Sequence, residues 1–171
     1  MKVTLKHICR VLILILIPAL VSCDGGDDLV TIFTGKTWKL SRLTIPGSSA
    51  QFPQSFWSDE TSFNNSMKAF KNEKNFTIIF EGVEVNNVMS GTSLTAKGIK
   101  ATLSGVWDAD NLNRNFSISN VRVTTAETDI LAKTFIAGLQ TAYKYEGNAN
   151  SLVIYFKHNG KDMIMGFTPK R

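Results

Sequence analysis

Two runs, Ser151 to His158 and Lys161 to Thr168, alternate apolar with polar residues on either side of Asn159-Gly160, and this constrains the fold more than any other feature. Leu152, Ile154 and Phe156 share one side of the first run, which is the period of a half-buried strand rather than of a helix. Asn-Gly is the pair that a two-residue type I′ turn requires, because both of its central positions need positive φ. The segment therefore predicts a β-hairpin.

The same period recurs upstream. Lys36 to Ile45 places Trp38, Leu40 and Arg42 on one face, and Asn75 to Glu81 places Phe76, Ile78 and Phe80 together. Val83 to Val88 and Thr92 to Lys97 read as a pair joined near Met89-Ser90-Gly91. Ile99, Ala101, Leu103, Gly105 and Trp107 form the next stripe, and a turn over Asp108 to Asn113 returns the chain through Phe116 and Ile118. The phase then slips, since Val121 and Val123 have the opposite parity to Phe116 and Ile118. One extra residue near Ser119-Asn120 would restore the inward face, so a β-bulge is predicted there.

Two segments carry the helical period instead. Ser58 to Asn72 aligns Phe63, Met67 and Phe70 behind a Ser58 or Asp59 N-cap, and Thr128 to Tyr143 aligns Leu131, Phe135, Leu139 and Ala142, with Thr128 capping and Asp129 in the first turn. Each is expected to pack on the sheet or plug an open end. About eight short antiparallel strands with one or two short helices predict a mainly β, up-and-down, lipocalin-like barrel, a form that removes exposed sheet edges by closure.

The N-terminus predicts an address. Lys2, Lys6 and Arg10 precede an apolar run, Val11 to Ile17, that is well short of the roughly 20 residues a membrane-spanning helix needs. With Pro18 and the small Ser22 before Cys23, it reads as a cleaved signal peptide over residues 1–22. Leu20-Val21-Ser22-Cys23 resembles a lipobox, which implies that Cys23 receives diacylglycerol and, with palmitate-type acyl chains, anchors the protein in a membrane. Asp24-Gly25-Gly26-Asp27-Asp28 is too polar to pack, and residues 23–34 are taken as a lipidated tether ahead of a barrel domain over 35–171. Acidic residues directly after the cysteine resemble the export signal of surface lipoproteins of Bacteroidota. An outer-membrane, lipid-anchored location is expected, with exposure on the cell surface.

Processing also removes most of the apparent basicity. Three of the 19 basic residues and none of the 14 acidic ones leave with the signal, which takes the formal net charge from +5 to +2 and gives little reason to expect nucleic acid as a partner. Cys9 is lost as well, so the mature chain has no intramolecular disulfide and depends on its core for stability.

Chemistry-bearing motifs are sparse. His158 is the one histidine left after processing and reads as a solvated turn residue, without the convergent partners a metal site needs. Asp59-Glu60 and Asp108/Asp110 sit in helix-start and turn contexts that account for them structurally. No catalytic residue, metal site or cofactor is predicted, and the expectation is a non-enzymatic protein.

Gly35-Lys36-Thr37-Trp38, Gly105-Val106-Trp107-Asp108, Tyr145-Glu146-Gly147-Asn148 and the Leu152 to Phe156 strand together resemble small lipocalin-like lipoproteins of Bacteroidota, a family of unknown function. Lipocalins place Gly and Trp one residue apart on their first strand, whereas two residues separate Gly35 from Trp38. Two function classes follow. If the barrel holds a small apolar ligand, Trp38, Phe76, Phe80, Trp107, Phe116 and Phe156 are the candidate lining residues; an eight-stranded barrel either fills itself with side chains or holds one such molecule. In the other class, loops or the outer face carrying Val153, Tyr155 and Lys157 bind an envelope protein or a glycan.

Overall fold

The computed structural model describes residues 28–85 and 88–170. The segment expected to be a signal peptide, Cys23 and the residues up to Asp27 lie outside this range. A five-residue helix α1 (Leu29–Phe33) leads into β1 (Thr37–Thr44), followed by a 3₁₀ turn at Gln54–Phe56 and helix α2 (Glu60–Phe70). A meander of β2 (Thr77–Val85), β3 (Val88–Lys97), β4 (Thr102–Ala109) and β5 (Phe116–Val123) follows. Helix α3 (Ile130–Gln140) then crosses to β6 (Ala142–Asn148), β7 (Ser151–His158) and β8 (Lys161–Pro169).

The sheet order is β5-β4-β3-β2-β1-β8-β7-β6, antiparallel throughout, so the chain is an eight-stranded up-and-down barrel with few short helices. Closure between β5 and β6 is nearly complete. An isolated bridge joins Asn115 to Lys144, and the Tyr145 amide donates to the Arg114 carbonyl at 2.9 Å. α3 packs against β5 and β7 at the end of the barrel where β5 stops and β6 begins.

Local chemistry sets the elements. Asp28, Asp59 and Asp129 are the N-caps of α1, α2 and α3, and their carboxylates accept from the amides of Thr31, Ser62 and Ala132. At the β7–β8 turn Asn159 and Gly160 have φ of 50° and 75°, as the dipeptide demands. The bulge in β5 is present: Val106 pairs with Ser119 and Ser104 with Arg122, and Asn120 has a φ of 51°. It turns Val121 back toward the core, while Val123 stays exposed.

Several expectations are corrected. Residues 29–34 are not tether, because Ile32 and Phe33 are fully buried and α1 belongs to the domain. A bulge between Leu40 and Arg42 puts Leu43 inside in place of Arg42, which lies outside across Gly166. Thr77 to Val85 is a single strand interrupted at Gly82, so the Phe76/Ile78/Phe80 stripe and Val83 do not lie on separate strands, and Val88 opens β3. Met89-Ser90-Gly91 lies within β3, where Gly91, at φ 64°, and Thr92 together face Gly82. Asp129 rather than Thr128 caps α3, which ends at Gln140, so Ala142 and Tyr143 belong to β6. The eight described strands and every described core side chain fall within residues 29–169, so a chain of residues 24–171 includes all of them.

Candidate functional site

The six predicted lining residues do converge on the interior. Trp38, Phe76, Phe80, Trp107, Phe116 and Phe156 come from five strands or their immediate ends, and none is more than 2% exposed. What sits between them is Phe33, a residue that sequence reasoning left in the tether. Its ring lies 5.0 Å from Phe80, 4.8 Å from Trp107, 5.7 Å from Phe116 and 5.0 Å from Tyr145, centroid to centroid. Toward the other end Phe135 of α3 reaches Phe76 at 5.8 Å and Phe167 at 6.3 Å. These are edge-to-face and offset separations at which aromatic rings stabilise one another.

The indole N–H groups are satisfied from within. Trp38 Nε1 donates to the Phe33 carbonyl at 3.1 Å, and Trp107 Nε1 to the Glu81 carbonyl at 2.9 Å. The clefts described among these residues are surface clefts, and Trp38, Phe76, Trp107, Phe116 and Phe156 line none of them.

The outer face of β6, β7 and β8 is organised differently. Lys144, Glu146, Val153, Tyr155, Lys157 and Asp162 point outward because their neighbours Tyr145, Ile154, Phe156 and Met163 point inward. Tyr143, set outward by an irregularity at the start of β6, lies 6.4 Å from the Tyr155 ring and remains 39% exposed. Lys144 Nζ stands 4.9 Å above the Tyr155 ring and Lys157 Nζ 5.5 Å above Tyr143. Asp162 accepts from the Tyr143 hydroxyl at 2.6 Å and pairs with Lys157 at 2.7 Å, and Lys144 pairs with Glu146 at 2.8 Å.

This network shifts its own titrations. Donation to Asp162, helped by burial and the Asp162 charge, pushes the Tyr143 hydroxyl up to about 12. Bonds from Lys157 and Tyr143 hold Asp162 below the usual carboxylate range. Burial, then hydrogen bonding to Glu146, raises Tyr155. Val153, Tyr155 and Lys157 were legible from the alternation of β7. Tyr143 was missed because the helical reading ran through it, and Lys144 and Glu146 because no strand was read between that helix and Ser151, although they belong to β6.

Buried polar groups elsewhere act structurally. Glu127, 7% exposed, accepts three consecutive backbone amides on Oε1, from Ile99, Lys100 and Ala101 at 2.8, 2.9 and 2.8 Å. Ser66 Oγ takes the Trp57 indole N–H at 2.8 Å and donates to Asp129 at 2.6 Å, which joins α2 to α3. Asp59 and Asp110 are held low by the amides and side chains they cap. Among the described residues no group of three or more His, Cys, Asp or Glu is placed to hold a metal ion, and no helix is long and apolar enough to cross a membrane.

Fold and interior together define a small antiparallel meander barrel whose lumen is occupied by its own aromatic side chains. The chain belongs to the family described as a domain of unknown function, DUF4847, which matches residues 24–169. It is similar in structure to a DUF4847 family protein from Bacteroides vulgatus, with a TM-score of 0.57 and 21% identity over 82% of this chain and 96% of that one. At that identity the likeness carries the fold. No curated protein matches the chain.

Proposed function

We propose that the chain is exported, lipidated on Cys23 and held on the outer membrane, where its lipocalin-like barrel serves as a rigid, non-enzymatic scaffold that binds a protein partner on the outer face of β6–β8. The observation that carries this reading is the contrast between a lumen filled by touching rings and an outer face that gathers two tyrosines with paired charges. Tyrosine-centred patches rimmed by charge are what protein interfaces use. A glycan would need bare ring faces on which to stack, whereas here each tyrosine ring already carries a lysine ammonium. A small apolar ligand in the lumen, the other reading, would have to displace Phe33 from its four aromatic neighbours.

Anchoring fits the same picture. α1 lies beside the β6–β7 turn, where Lys36 Nζ bonds the carbonyls of both Thr31 and Ala149 at 2.7 and 2.8 Å. Residues 23–27 span at most about 18 Å fully extended, so this end of the barrel would stand close to the membrane and the α3 end away from it.

Two experiments test the proposal. Cys23→Ala removes the acyl acceptor and should release the protein from the membrane fraction; retention after a high-salt wash would refute anchoring. A photo-crosslinking residue at Val153 in cells of the native host should give a discrete protein adduct that Tyr143→Ala/Tyr155→Ala abolishes, whereas the same group at Thr95 on the opposite wall should not. Equal labelling at both positions, or a ligand retained in the lumen by native mass spectrometry, would refute the outer-face reading.

A further inference from the structure

At the α3 end, on the other side of the β7–β8 hairpin from the tyrosine patch, a cleft of about 470 Å³ runs between the segment after β1, the first turn of α3 and the β7–β8 turn. Its volume falls within the roughly 300–1,000 Å³ usual for small-molecule sites. Met163 forms part of its wall and is only 3% exposed, Phe56 and Ile130 are half-buried, and Ile45 contributes to the lining while 48% exposed. Several large apolar side chains are exposed in this domain, Val83 and Leu112 more so than Ile45, and Ile45 is the one of them that borders this recess.

Lys161 is the one formally charged side chain lining the cleft, beside the imidazole of His158 and the uncharged Ser55, Thr134 and Asn159. His158 and Lys161 flank the β7–β8 turn, and neither side chain has a hydrogen-bond or ion-pair partner among the described residues. No carboxylate lines the cleft. The nearest acid in sequence, Asp162, is turned to the outer face and held there by Lys157 and Tyr143. An unpaired ammonium and an imidazole at the rim of an apolar recess complement an anionic head on an apolar body. We infer that this cleft binds a single-tailed anionic amphiphile, its chain against Phe56, Ile130 and Met163 and its head group at Lys161 and His158. This site is independent of the proposed outer-face interface, and either can fail without the other.

Decanoate is a suitable probe. With residues 24–171 labelled at the methionine methyls, decanoate below its aggregation concentration should shift the Met163 signal saturably and leave Met89, at the other end of the barrel, unmoved. Decyltrimethylammonium should bind at least tenfold more weakly. Lys161→Glu should weaken decanoate binding at least tenfold and Lys161→Gln less; the site is an exposed turn, and an unchanged Met89 signal verifies the fold. The proposal is overturned if both head groups bind alike or if Lys161→Glu leaves decanoate binding unchanged. It is equally overturned if Lys161-dependent binding occurs only on phosphatidylglycerol vesicles, which would make the cleft a membrane-docking edge.

Discussion

Replacing Glu127 by Ala should be among the most damaging single polar substitutions in this domain. One carboxylate oxygen of Glu127 gathers the amides of Ile99, Lys100 and Ala101, so a side chain from the β5–α3 connection fixes the β3–β4 turn. Hydrogen bonds to charged groups each contribute about 1.5–3 kcal/mol net. They do not add fully here, because the Ile99 and Lys100 amides can regain water while that of the fully buried Ala101 cannot. A loss of about 3–4 kcal/mol follows, one buried amide left unsatisfied at about 1–3 and the remainder from the two partly rehydrated ones. At about 3 °C per kcal/mol for a domain of this size, Tm should fall by about 10 °C. Glu127→Gln keeps the acceptor but loses its charge, and it puts an NH₂ where Oε2 has no partner among the described residues, so it should fall between. Differential scanning calorimetry gives the magnitude, and hydrogen exchange gives the location: the amides of 99–101 should lose protection while those of β7 keep theirs. A Tm change under about 3 °C for Ala, or undiminished protection at 99–101, would refute the reasoning.

Phe33→Ala should cost about 3–5 kcal/mol, the range for a large buried aromatic, measurable by urea unfolding, and near-wild-type stability would return α1 to the tether. Gly138→Ala gains about 1 kcal/mol of helix propensity, but the new methyl would sit 2.8 Å from the Phe156 ring. Overpacking of about 1–3 kcal/mol should win or at least cancel the gain, so a clearly raised Tm would contradict this packing. Tyr143 donates to Asp162 only while protonated, so this contribution is present below the ordinary tyrosine range and is lost as pH rises through about 12. Asp162→Asn should move its ionisation, followed at 295 nm against a Tyr143→Phe reference, back toward the ordinary value of about 10; an unchanged titration would rule out the bond.

Strand content and order were legible wherever side chains alternate against one core. The β7–β8 hairpin, the Phe76/Ile78/Phe80 stripe and the β5 bulge each follow from local parity, since a one-residue slip would send every following side chain to the wrong face. The misreadings share a cause. Gly91 has the left-handed φ that a turn would use, and in isolation a bulge glycine and a turn glycine look alike; pairing with β2 makes it a bulge. β6 follows α3 with only Thr141 between them, so its first residues continued a helical stripe that the hydrogen bonds to β7 interrupt.

By itself the sequence determined most of the strand residues that face inward, the hairpin turn and the class of fold, because these depend on periods of two or about 3.6 and on backbone preferences of Asn and Gly. It named six aromatic residues that converge, but not whether they leave a lumen. That was decided by Phe33, whose segment is too short for a periodic signal and whose position comes from α1 folding back among β2, β4, β5 and β6. The gathering of Tyr143, Tyr155 and Asp162, the cleft beside Lys161 and the three-amide grip on Glu127 are likewise tertiary. Each joins residues from separate elements, and no local pattern in the chain records a contact made across such a distance.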